Sequence, residues 1–275
     1  MATDTMSSLN ANRYQGAASR SDLVRQALVI IALLTTIFVN YLANALPLNN
    51  RDTGSISDNF PVRFTPAGYV FAIWSVIYLG LIAYAIWQAL PSQRDNARLR
   101  ASFWPFMLSC MANVTWLFSW HYGYYLLSEL LMLILLGALI ILYARLYPSF
   151  PTVSPAERWT THIPFRIYLG WITVATIANT TIVLYDLGWR GAPLDAPTWA
   201  AIIIVVATVV GLFFGLRLRD AAYTAVLVWA FIGIYVKQGD APITAYGALA
   251  MAVVLAIAAL FALIRRQRPA MTKAG

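Results

Sequence analysis

The residues of this chain that could do chemistry are aromatic rings and amides set at helical spacing. Trp74 and Tyr78 are four apart and share a helix face. Asn113, Trp116 and Trp120 do the same at i, i+3 and i+7. Trp171, Ala175 and Asn179, each four apart and preceded by Tyr168, make a stripe of ring, gap and amide. Rings beside a buried amide and a small residue suit a flat apolar ligand. The plainer alternative is helix packing, with Asn113 and Asn179 hydrogen-bonded across helices. Glu129 is the one acid placed well within an apolar run, which makes it a functional candidate. It also lies near enough to the end of that run to reach the interface.

Little else in the chain is reactive. The single cysteine, Cys110, excludes an internal disulfide and any cysteine-based metal cluster. Two histidines, His121 and His162, nearly exhaust the transition-metal ligands. They belong to opposite ends of the molecule and cannot clamp a haem iron between them. No metal site is expected, and no Ser/His/Asp or Cys/His set supports catalysis. Catalysis at Trp171 stays open as the minor reading.

The elements that must position these residues follow from composition. The 275 residues are 60% hydrophobic and 11% charged, with a mean hydropathy of +0.67. Soluble domains carry about 25% charged residues, so the class is an all-α polytopic membrane protein. A bilayer crossing takes about 20 apolar residues. Eight runs qualify, near 24–46, 67–90, 102–120, 124–147, 163–186, 197–216, 221–237 and 243–264. The first exceeds the apolar core of a signal peptide and is read as a retained helix. Trp104, Trp159, Trp189 and Trp199 fall at run ends, as an interfacial belt does.

The charges orient the chain. With a cytoplasmic N-terminus, fifteen of the 19 Lys and Arg fall on the inner side; Arg51, Arg63, Arg190 and Lys237 fall outside. That bias places both termini in the cytoplasm, in a membrane such as the bacterial inner membrane. It also accounts for the net charge of +8 without nucleic acid. The long outer connection is 47–66. Runs six and eight are nearly bare of polar groups and carry Gly211, Gly215, Ala248, Ala252 and Ala256, which suits close helix packing.

The stretch 64–87, FTPAGYVFAIWSVIYLGLIAYAIW, resembles the second helix of the TspO/MBR family, the translocator or tryptophan-rich sensory proteins. Thr65 and Pro66 match the family's Thr-Pro-Pro-x-Trp turn, and Trp74 and Tyr78 its Trp-x-x-x-Tyr. Ala67 and Tyr69 stand where the family has the second Pro and the Trp. Asn113 and Trp116 match the third helix, and Tyr168, Trp171, Ala175 and Asn179 the fifth. The resemblance covers 24–187, and three further helices make this a long variant. It implies a five-helix ligand-binding bundle at 24–187, after a flexible cytoplasmic tail at 1–23. A three-helix extension at 188–265 and a basic tail at 266–275 follow.

The resemblance also implies a membrane receptor or sensor that binds a tetrapyrrole, porphyrin or haem, under the loop 47–66. The site residues carried over are Tyr69, Trp74, Tyr78, Asn113, Trp116, Tyr168, Trp171, Ala175 and Asn179. The expected surroundings are lipid, with a homodimer or larger complex through the last three helices. The alternatives are an accessory subunit of a membrane complex and, below it, a transporter of porphyrin-like molecules. No inverted repeat favours transport. Two loose matches to sterol-contact patterns, at Leu139–Tyr143–Arg145 and Val183–Tyr185–Arg190, carry no weight.

Overall fold

The computed structural model describes residues 2–46 and 48–265, with side chains from Arg20 onward except Asn44. The basic tail 266–275, with Arg266, Arg268 and Lys273, lies outside the described residues. Among the described residues every regular element is helical. They are α1 (Ala2–Ala45), α2 (Thr53–Asp58), α3 (Ile73–Ala89), α4 (Ala97–His121), α5 (Tyr125–Leu146), α6 (Ile163–Asp186), α7 (Ala196–Leu212), α8 (Ala221–Lys237) and α9 (Pro242–Ile264). The helical backbone of α1 therefore begins within the stretch expected as a tail at 1–23.

The starts of the helices follow local chemistry. Asn96, Asp195 and Asp220 cap α4, α7 and α8 by accepting backbone N–H bonds. Proline opens the first turn of α7 and α9, where its missing donor costs nothing.

Among the described residues, six helices are long and apolar enough to cross a membrane: Arg20–Ala43, Gly68–Ala89, Tyr125–Ser149, Pro155–Asp186, Ala196–Arg217 and Pro242–Ile264. The sequence predicted eight. The two others exist as helices but fall short on one measure each. α4 has 25 residues, but Arg98, Arg100, three serines and Asn113 dilute its apolarity. α8 is apolar but has 17 residues. The surface of the bundle is that of an integral membrane protein, since large apolar side chains face outward: Leu79 is 68% exposed and Ile257 63%.

The helices pack in two groups. α1, α4, α5, α6 and α3 form a closed ring, each touching the next and α3 returning to α1. α7, α9 and α8 form a triplet that joins the ring through α8 against α6. Within the triplet Gly211 is a point of close approach, as expected from the small-residue pattern. A Cβ there would lie 2.6 Å from Leu255 and 2.9 Å from Leu227. Gly211→Leu is expected to cost roughly 1–3 kcal/mol by overpacking, seen as a lower thermal midpoint in detergent. An unchanged midpoint would show that α7 can shift aside.

The triplet is tied to the ring at both ends. At the end carrying α2, the Arg63 guanidinium donates to both oxygens of Asp240 at 2.7 and 2.8 Å. Lys237 bonds Asp58 and Thr65, and Gln238 donates to the Thr65 carbonyl at 3.3 Å. The Ala67 N–H reaches the Gly233 carbonyl at 3.0 Å, and the Trp229 indole reaches the Val70 carbonyl at 3.1 Å. Gly233 permits this: a Cβ would lie 2.1 Å from a Val70 methyl. At the opposite end, buried Arg166 of α6 pairs with buried Asp220 at 3.1 Å. Tyr143 donates to the same carboxylate at 2.9 Å, and Phe150 lies under the guanidinium at 3.6 Å. The extension was expected to serve packing or assembly; it also holds the connection that covers the ring.

Candidate functional site

Beneath α2 the ring holds two neighbouring, partly open cavities that share Phe71, Trp74 and Trp116 as lining. The larger, about 570 Å³, lies between α1, α2 and α3 and is lined by Asn40, Asp52, Ser75 and Tyr78 among others. The smaller, about 40 Å³, lies towards α6 and is lined by Trp171, Ala175, Asn179, Trp120 and Met132.

The rings make one packed array. Trp74 stacks on Tyr78 at 5.4 Å and meets Tyr168 and Trp171 edge-on at 5.8 and 6.3 Å. Phe71 meets Trp171 at 5.6 Å, and Trp116 stacks on Trp120 at 5.8 Å. The i, i+4 spacing of Trp74 and Tyr78 produces their stack directly. The contacts between helices require α3 and α6 to be neighbours, which spacing alone does not reveal.

The amides are committed to helix–helix bonds. Asn113, fully buried, accepts from Asn40 at 2.8 Å and donates to the Tyr168 hydroxyl at 3.3 Å. Asn179 accepts from the Trp116 indole at 3.3 Å. Its amino group reaches Glu129 at 2.7 Å and Ser128 at 3.2 Å. Two buried donors in the array, the Trp171 indole N–H and the Tyr78 hydroxyl, make no hydrogen bond among the described residues. Burying such a group unpaired costs about 1–3 kcal/mol; both atoms are closed off from the cavity space by their neighbours.

Of the expected site residues, Trp74, Trp116, Trp171, Ala175 and Asn179 line the smaller cavity together. Tyr78 lines the larger one, with Trp74 and Trp116. Tyr168 and Asn113 sit behind the rings as hydrogen-bonded support. Tyr69 is placed elsewhere: it is 45% exposed and meets Trp229 of α8 edge-on at 5.3 Å. The 3-10 turn Gly68–Ala72 carries Phe71 inward and Tyr69 outward. Sequence reasoning missed Asn40, which follows Thr36 by one helical turn on α1, and the inward role of Phe71.

The roof helix α2 is short, and its cap matters. Asp52 accepts from the Ser55 and Gly54 N–H groups at 2.9 Å. The Ser55 N–H first, then the Ser55 hydroxyl and the Gly54 N–H, hold its carboxyl below the usual value against the opposing effect of burial. The stabilisation is therefore complete above the ordinary carboxylate range and disappears as pH falls through the lowered native value. Asp52→Ala is expected to weaken the roof by about 1 kcal/mol. Faster amide exchange at Gly54 and Ser55 checks it; unchanged exchange would show that the clamp from α8 alone holds α2.

The two histidines occupy opposite ends, as the sequence implied. His121 is buried beside the roof with its Nδ1 2.8 Å from the Leu117 carbonyl, and His162 lies near Glu157 at the other end. Neither lines either cavity. A family model described as TSPO-like protein matches residues 26–261. The match continues past 187, where the sequence resemblance ended, and through all three helices of the triplet. No curated protein and no solved structure matches the chain.

Proposed function

The chain belongs to the TSPO-like family, and on that premise we propose that it is a membrane receptor for a flat hydrophobic ligand, a tetrapyrrole by preference, held among the rings of the five-helix ring. The observation that carries the reading is the wall of aromatic rings, Phe71, Trp74 and Trp116, that lines both cavities under the roof. Edge and face contacts with such rings add about 0.5–1.5 kcal/mol each beyond burial. The larger cavity lies within the usual range of about 300–1,000 Å³ for ligand pockets. The smaller one holds only water-sized molecules, so a macrocycle reaching Ala175 must turn Phe71 or Trp74 aside. With neither histidine on the cavity walls, a haem would be held by its faces, without an imidazole from this chain.

In the same reading all eight long helices cross the bilayer. α4 is about 37 Å long and α8 about 26 Å, against a hydrocarbon core near 30 Å. Both termini lie in the cytoplasm, following the basic bias, and the roof lies on the far side of a bacterial inner membrane. A tag after Met1 that protease removes from outside intact cells would contradict this orientation.

The test of the receptor reading is the absorption spectrum of protein purified from its native membrane, followed by titration with protoporphyrin IX. A Soret band, or saturable quenching of tryptophan fluorescence, supports it. A colourless protein that binds no porphyrin and elutes with stoichiometric partners supports an accessory subunit instead.

A further inference from the structure

Glu129 stands outside the cavities, on α5, yet it touches Asn179, which lines the smaller one. Its carboxylate takes the Asn179 amino group at 2.7 Å through one oxygen. The Thr180 hydroxyl lies 2.7 Å from the other oxygen. The Asn179 amino group donates to Glu129, and an indole N–H can only donate. Asn179 lies between the two, with Glu129 on one side and Trp116 on the other. The amide then has one satisfactory orientation: its amino group towards Glu129, its carbonyl oxygen towards Trp116. From Trp116 the order passes to Trp120 by stacking, and from the Trp120 indole to the Thr53 carbonyl of the roof at 3.2 Å.

We propose that Glu129 is a positioning residue for the ligand cavity: by fixing the Asn179 amide it holds in place Trp116, whose ring lines both cavities. The consequence for binding rests on the receptor reading: a displaced Trp116 ring changes the shape of both cavities. An apolar residue at 129 removes the nearer of the two acceptors of the Asn179 amino group and leaves Ser128 alone to hold it.

Two measurements test this on the full-length protein in detergent. The first needs no ligand: the ultraviolet resonance Raman marker of indole N–H hydrogen bonding at Trp116, isolated by subtracting each variant's Trp116→Phe spectrum. Glu129→Leu is expected to weaken the Trp116 bond, and Glu129→Gln, whose carbonyl still accepts from Asn179, to preserve it. An unshifted marker in Glu129→Leu overturns the positioning role whether or not porphyrin binds. The second is protoporphyrin IX affinity. Glu129→Leu is expected to weaken it roughly tenfold, the effect of one disordered buried hydrogen bond. Glu129→Leu/Asn179→Leu is expected to be no weaker than Asn179→Leu alone. Additive losses overturn the proposal. Wild-type protein that binds no porphyrin refutes the receptor reading, while the Raman comparison still decides the role of Glu129.

Discussion

Arg166→Met is expected to destabilise the protein by about 3–5 kcal/mol, the penalty for removing one partner of a buried ion pair. Arg166 and Asp220 expose 3% and 0% of their side chains. Loss of the guanidinium leaves a carboxylate facing the Tyr143 ring system and apolar helix surface, with the Tyr143 hydroxyl and the Tyr223 N–H as its remaining donors. The pair also joins α6 of the ring to the start of α8, so the loss falls on the junction between the two helix groups. Unfolding in detergent monitored by tryptophan emission measures it. Arg166→Met/Asp220→Asn is the control, because asparagine removes the charge yet can still cap α8 through its carbonyl oxygen. The double variant should recover most of the loss. If it is no more stable than Arg166→Met, the stranded charge is not the source of the penalty.

Ala175→Leu is expected to weaken protoporphyrin binding by about tenfold or more without unfolding the ring. Ala175 lines the 40 Å³ space beside Trp171. Three added carbons fill that space, and a ligand must displace them at a cost of roughly 1–3 kcal/mol. Fluorescence quenching titrations measure the affinity, with the thermal midpoint as a check on folding. Wild-type affinity in this variant would place the ligand wholly in the larger chamber, against α1 and α3. Trp74 and Tyr78 then become the contacts to vary.

Periodicity showed which residues share a helix face, and that proved sufficient within single helices. The Trp171–Ala175–Asn179 stripe does line one cavity, and Trp74 does stack on Tyr78. It could not show which helix each face meets. Tyr69 was assigned to the site by its place in a family turn, but the backbone of Gly68–Ala72 directs it to Trp229. Asn40 was overlooked because an isolated amide in an apolar run gains meaning only from its partner, Asn113, 73 positions away. The spacing of Gly211 and Gly215 correctly signalled close packing, since small residues have few other uses in lipid. The clamp from Lys237, Gln238 and Asp240 had no such signature: it joins residues more than 170 positions apart and uses ordinary polar types.

That clamp bears on the order in which the protein is made. A ribosome delivers the chain from its N-terminus, so every ring that could touch a ligand has been inserted by Asp186, the last residue of α6. The anchors for Thr65, Ala67 and Val70 arrive only with residues 229–240. A nascent chain halted before them holds its aromatic wall complete while the segment above it lacks these fastenings. The roof is thus fastened only once residue 240 has been made, and products terminated before it can carry the tryptophans without these anchors.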